Sequence, residues 1–191
     1  FLRLNWEVPV DRIVVSAQSS SRGWIPYSKG GEYQPYVPSL DLVIDWRNAG
    51  VDIASTPKAG FRNPQHFFRS GLTYPERTTS GLSPQYLPQG CIFDSQGPTI
   101  IGDDDTLIAA MCPILLSRPV SHLLEFMVSS GDAVSSGSAA RHYSQGLVNS
   151  LPVPEMNEAI IERLASIGVD SWRKLNDIAA NNETHTSFLG P

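Results

Sequence analysis

Thr99-Ile100-Ile101-Gly102-Asp103-Asp104-Asp105-Thr106-Leu107-Ile108-Ala109-Ala110-Met111 is where this chain changes its hydrophobic period. Before it, short apolar runs alternate with turn residues. After it, apolar residues recur at helical spacing: Leu107, Met111, Ile114 and Leu115 fall on one face. The three aspartates stand where side-chain oxygens can accept from free backbone amides and oppose the helix dipole. Clustered carboxylates also suit a hard cation, but the run lacks the spaced ligands of a calcium loop, and the cap reading is favoured. Pro113 has no amide proton and clashes with the preceding turn, so a kink or an early end is expected there.

Upstream, Leu40 to Trp46 reads as a strand, with Leu40, Leu42, Ile44 and Trp46 alternating with Asp41, Val43 and Asp45. Asn48-Ala49-Gly50 breaks it. Ile13-Val14-Val15, Trp24 to Tyr27, Leu72-Thr73-Tyr74, Tyr86 to Phe93 and Thr99 to Ile101 are further short strands, and Ser16 to Gly23 is a polar loop. Nine of the fifteen prolines precede residue 90, which forbids long helices there. Downstream, Val120, Leu123, Leu124 and Met127 define a helix after Pro119, and Ser129 to Ala140 is a Ser/Gly-rich loop. Met156, Ile160, Leu164 and Ile167 mark a helix that Gly168 would stop, and Trp172, Leu175 and Ala179 mark another. The expected fold is α+β: a twisted, mostly antiparallel sheet from the first half, packed by helices from the second. Residues 1–154 form one domain and 155–191 a C-terminal helical arm.

The chain has 191 residues, 41% hydrophobic and 17% charged, enough to bury a core. It opens at Phe1 rather than Met, so it reads as a piece of something longer. Two cysteines exclude a disulfide scaffold. No run approaches about 18 apolar residues and no charged-then-apolar leader is present, so a cytoplasmic protein with no membrane partner is expected. The net charge of −5 disfavours a dedicated nucleic-acid binder. It is unevenly spread, however. Residues 1–90 carry nine Lys/Arg against seven Asp/Glu, and residues 91–191 five against twelve. Lys58, Arg62, Arg69 and Arg77 make one basic stretch, which can serve a polyanion locally or be an ordinary solvated surface.

Catalytic signatures are missing. No Gly-x-Ser-x-Gly elbow, phosphate-binding Walker loop or dinucleotide fingerprint occurs. The four histidines and two cysteines lack ligand-pair spacing, which argues against a structural zinc. Cys91, between Gly90 and Ile92-Phe93, fits a buried strand end better than a nucleophile. The chain itself therefore reads as non-catalytic, with no catalytic residue, metal ligand or cofactor of its own assigned.

Two clusters point to recognition. Trp24 to Tyr33 joins aromatics, Lys29 and the Gly30-Gly31 pair, which lets backbone amides approach an anion; a turn between two core aromatics would look the same. Phe67 to Gly81 interleaves Arg69 and Arg77 with hydroxyls, a mixture suited to phosphates and base edges. Phe67, Phe68 and Leu72 fit the core better than stacking platforms.

These residues resemble a known family. Pro26-Tyr27-Ser28-Lys29-Gly30-Gly31-Glu32-Tyr33 and Asp41-Leu42-Val43-Ile44-Asp45-Trp46 look like the C-terminal part of single-chain bacterial DNA adenine methyltransferases, the type IIG restriction–modification enzymes and their BREX phage-defence relatives. Phe68-Arg69-Ser70-Gly71-Leu72-Thr73-Tyr74, Arg77-Thr78, Gly81-Leu82-Ser83 and Leu87-Pro88-x-Gly90-Cys91-Ile92-Phe93 continue the likeness. Leu115 to Pro119, Leu151 to Pro154 and Asn182-Glu183-Thr184 extend it. Pro113 and Leu116 depart from the family's pattern. The resemblance implies a target recognition domain that reads duplex DNA beside a separate catalytic domain, which would use S-adenosylmethionine and flip the target adenine. The catalytic Asn-Pro-Pro-Tyr-type motif is not here, since Asn63-Pro64 is followed by Gln65-His66. Lys29, Arg69, Thr73, Arg77, Thr78 and Ser80 are the expected DNA contacts. Two other readings stand beside this one. One is a protein-interaction or structural domain. The other is a metal-dependent nuclease built on Asp41, Asp45 and Glu32.

Overall fold

The structure, a computed structural model, describes residues 1–14, 22–57, 60–129, 140–181 and 185. Val15, most of the Ser16–Gly23 loop, Lys58, most of the Ser129–Ala140 loop and Asn182-Glu183-Thr184 lie outside the described residues. The fold is α+β, with strands concentrated in the first half and helices in the second.

The strands divide into two sheets and a ribbon. The first sheet contains β1 (Leu2–Leu4), β2 (Trp24–Ser28), β3 (Leu42–Asp45) and β7 (Ile92–Phe93), in the order β1-β3-β2-β7. Its first two pairings are antiparallel and β2–β7 is parallel. The second sheet is antiparallel, with β4 (Gly71–Thr73) between β6 (Gln85–Leu87) and β8 (Thr99–Ile100). β5 (Arg77–Thr78) and β9 (Arg141–His142) form the two-stranded ribbon. The Tyr86–Phe93 run is thus two strands in different sheets, because Pro88 and Gly90 (φ +93°) turn the chain between them.

Each sheet has its own core. Against the four-stranded sheet, Ile25, Ile44, Ile53 and Ile92 pack with Trp46, Phe67 and Phe68. Trp46 lies 5.2 Å from the Phe61 ring centroid and meets Phe67 and Phe68 edge-on, the geometry that aromatic quadrupoles favour. Both phenylalanines are core residues. Gly50, with φ +77°, opens the short helix α1 (Val51–Ala54), and a Cβ there would press into the Trp46 ring. The second core joins Leu72, Tyr74 and Leu82 to Cys112, Leu115, Leu124, Tyr143 and Val148. The last five come from, or border, α2 (Asp105–Leu115), α3 (Arg118–Ser129), β9 and α4 (Gln145–Asn149).

All three aspartates of the period change are partnered. Asp104 caps α2, accepting from the amides of Thr106 (2.9 Å) and Leu107 (3.1 Å). Asp103 pairs with Arg69, and Asp105 accepts from the Ser70 hydroxyl. Asp104→Ala is expected to cost about 1 kcal/mol, as for other N-caps, and to lower the urea midpoint without changing the slope.

Pro113 is accommodated by a specific exchange. It has no N–H to give the Ala109 carbonyl one turn earlier, and the Tyr86 hydroxyl donates to that carbonyl instead, at 2.7 Å. α2 then ends at Leu115, two residues beyond the proline. The two helices expected around Gly168 are a single one, α5 (Glu158–Ala179). Gly168 does not stop it. The residue is buried where α5 crosses α2, and a Cβ would run into the Tyr86 hydroxyl and lie 2.8 Å from the Ala109 carbonyl oxygen. The glycine serves close helix approach. Among the described residues no single helix is long and apolar enough to cross a membrane, and α2 and α3 meet at a 68° bend.

Candidate nucleic-acid interface

β2 ends at the buried Ser28, and the chain continues into exposed Lys29 and then Gly30 and Gly31, both with positive φ (85° and 68°). This glycine pair is not an open anion cradle. Gly30 fits against the 94–98 loop, where a Cβ would sit 2.5 Å from the Gln96 carbonyl oxygen and 2.9 Å from the Pro75 Cα. Gly97 is equally tight from the other side, where a Cβ would sit 2.6 Å from the Gly30 nitrogen. Two loops interlock here because both lack side chains.

Thr73 lies beneath this junction. Its hydroxyl is within 3.3 Å of the Ser28 hydroxyl and donates to the Gly97 carbonyl at 3.3 Å. At 0% exposure it offers nothing to a ligand. This corrects its expected place among the contacts: it braces the site from inside.

The interlocked loops carry Lys29 to the same polar cavity as Arg77, although 48 positions separate them. The cavity is about 300 Å³ and is lined by Lys29, Gly31, Pro75, Glu76, Arg77 and Gln96. A second polar cavity of about 310 Å³ adjoins it at Glu76 and is lined by Arg62, Asp94, Ser95 and Ser144 among others. Lys29, Arg62 and Arg77 make no ion pair among the described residues. The nearby acids are engaged: Asp94 accepts from the Tyr27 hydroxyl (2.9 Å) and the Gln96 amide (2.7 Å), and Glu76 lies 3.1 Å from His142 Nε2. Burial, and then proximity to Asp94, raise the Tyr27 phenol well above its ordinary range, so it remains a donor.

The other expected contacts are distributed differently. Arg69 is committed elsewhere, with Nη2 donating to the Gly102 carbonyl (3.0 Å) and to Asp103 (2.7 Å) at the start of α2. Thr78 accepts from the Ser80 amide at 3.1 Å, and the Ser80 carbonyl accepts from the buried Tyr143 hydroxyl at 3.4 Å. Both belong to the ribbon and its turn. Arg141 and His142, which sequence reasoning missed, lie across the ribbon from Thr78 and Arg77. Their signal in the sequence is a basic pair followed by Tyr143, but nothing local ties it to residue 77.

Cys91 and Cys112 are buried, and burial pushes both thiols up to about 12, so neither is a thiolate nucleophile near neutral pH. Asp45 is held by Arg47 at 2.5 and 2.8 Å, and Asp41 accepts from the Ser39 hydroxyl. Among the described residues no three metal-ligating side chains gather. A third cavity, about 370 Å³, is apolar and lies between α5 and the 37–40 and 86–88 segments, with no Lys or Arg in its lining.

No family model matches the chain. A stretch of 105 residues, 55% of the chain, is 30% identical to the adenine-specific methyltransferase BrxX of Escherichia coli O9:H4 (strain HS), of which it covers 8%. A stretch of 158 residues, 79% of the chain, is 26% identical to the adenine-specific methyltransferase PglX of Lacticaseibacillus casei (strain Zhang), covering 12%. This is a methyltransferase-related region. The chain spans about a tenth of the length of these curated relatives.

Proposed function

We propose that this chain is the sequence-reading module, or target recognition domain, of a larger adenine-specific DNA methyltransferase serving restriction–modification or phage defence, and that its ligand is duplex DNA. The observation that carries this reading is the convergence of Lys29 and Arg77, neither ion-paired, on one polar cavity in a chain similar to adenine-specific methyltransferases. Unpaired cations on an exposed concave surface attract a phosphate backbone by displacing its counterions.

S-adenosylmethionine would act in the catalytic part. The residues here do not fit it: in the one adjacent glycine pair, Gly30-Gly31, Gly30 is packed against the 94–98 loop, and no methyl-donor loop is present. That catalytic part is the second proposed partner. α5 leaves Ile160, Ile167, Leu175 and Ile178 exposed along one side, an apolar stripe of the kind a protein partner covers. The DNA reading is tested by fluorescence anisotropy of a labelled duplex at low salt. Saturable binding by the 191-residue chain is expected, weakened by the pair Lys29→Ala and Arg77→Ala. Absence of duplex binding would refute it.

A further inference from the structure

The β5–β9 ribbon belongs to neither sheet and places Arg77 opposite His142 and Thr78 opposite Arg141. Arg77 is exposed, and the side chains of Arg141 and His142 are 37% and 50% accessible. The ribbon is nonetheless fixed from below. The Tyr143 amide donates to the Glu76 carbonyl at 2.7 Å, the Glu76 amide donates to the Gln96 carbonyl at 3.0 Å, and Tyr143 is buried beside Leu72, Tyr74 and Leu124. Thr78 and Ser80 close the adjoining turn.

Building on the duplex-DNA reading, we infer that this ribbon is the element that enters the major groove, with Arg77 reading a base edge, while Arg141 and His142 on the opposite strand face Glu125 (3.8 Å) and Glu76 (3.1 Å). A major groove about 12 Å wide admits a two-stranded ribbon, whose strands lie about 4.8 Å apart. Arginine is the side chain whose fork matches the two acceptors on the guanine edge, and it does so only when its guanidinium is not already held. Arg77 meets that condition and Arg69, bound to Asp103 and the Gly102 carbonyl, does not. Lys29, on the neighbouring loop, is a compact charge suited to phosphate. The support from Tyr143 keeps the reader in place before DNA arrives, as a precise site requires.

The test is selection from a random duplex library, followed by sequencing, with the 191-residue chain and its variants. Arg77→Ala is expected to flatten the preference at one base position by about tenfold or more. Arg77→Lys retains the charge without the fork, so it should keep most of the affinity and lose the same preference. Arg69→Ala should leave the preference unchanged. Thermal melting checks that each variant is folded. If the wild-type chain enriches a sequence and both Arg77 variants enrich it equally, the ribbon assignment is overturned while the DNA reading stands. A uniform loss across all sequences in Arg77→Lys would also overturn it. A wild-type chain that binds no duplex would refute the DNA reading itself.

Discussion

Gly168→Ala is expected to destabilise this protein, although alanine is the better helix former by about 1 kcal/mol in a helix interior. The added Cβ meets the Tyr86 hydroxyl and lies 2.8 Å from the Ala109 carbonyl oxygen. Neither atom is free to move away. The hydroxyl is the donor that replaces the amide missing at Pro113, and the carbonyl belongs to the backbone of α2. α5 must shift outward or the Tyr86–Ala109 hydrogen bond must break. Overpacking of this kind costs about 1–3 kcal/mol, against which the helix gain is small, and the net result should be a thermal midpoint lower by several degrees. Gly168→Ala in a Tyr86→Phe background should cost less than in the wild type, because the obstructing oxygen is gone. If Gly168 merely tolerated its position in the helix, the single substitution would raise the midpoint instead.

That glycine shows where the sequence could be read and where it could not. The period change at 103–105 is a local signal, and it identifies both the N-cap at Asp104 and the helix after it. The strand at Leu42–Asp45 is equally local, although Val43 and Ile44 are both buried, because β3 is central and covered on both faces. Gly168 looks like a helix stop because nothing nearby reveals that α2 will cross it there. Pro113 looks like a defect until Tyr86, 27 positions earlier, supplies the missing donor. The candidate site divides the same way. Lys29 and Arg77 were visible as cations among turn residues. Thr73 was visible as a hydroxyl, but its burial depends on Ser28 and Gly97. Arg69 was visible as a charge, but its commitment depends on Asp103. Arg141 and His142 needed a pairing more than sixty residues long.

Duplex binding should weaken steeply as salt rises. Phosphate contacts from two or three of Lys29, Arg62 and Arg141 would give a log–log slope of about −1.8 to −2.7, near −0.9 per neutralised phosphate. Raising monovalent salt from about 50 to about 200 mM should then raise Kd by about 12- to 40-fold. Lys29→Ala should lower the slope by about 1 and weaken all sequences alike, as a phosphate contact does. Arg69→Ala should leave the slope unchanged, because that guanidinium already holds Asp103 and the Gly102 carbonyl. A slope near zero with retained affinity would mean that binding is not to the phosphate backbone.

The central claim is that this chain reads DNA on behalf of an adenine methyltransferase. The most direct measurement compares two sequences: the one this chain enriches from a random duplex library, and the one in which the proposed full-length methyltransferase modifies adenine, mapped by sequencing modified bases. The two are predicted to be the same, or the first to be a part of the second. Enrichment of an unrelated sequence, or duplex binding with no preference beside a sharply defined methylation site, would contradict the claim.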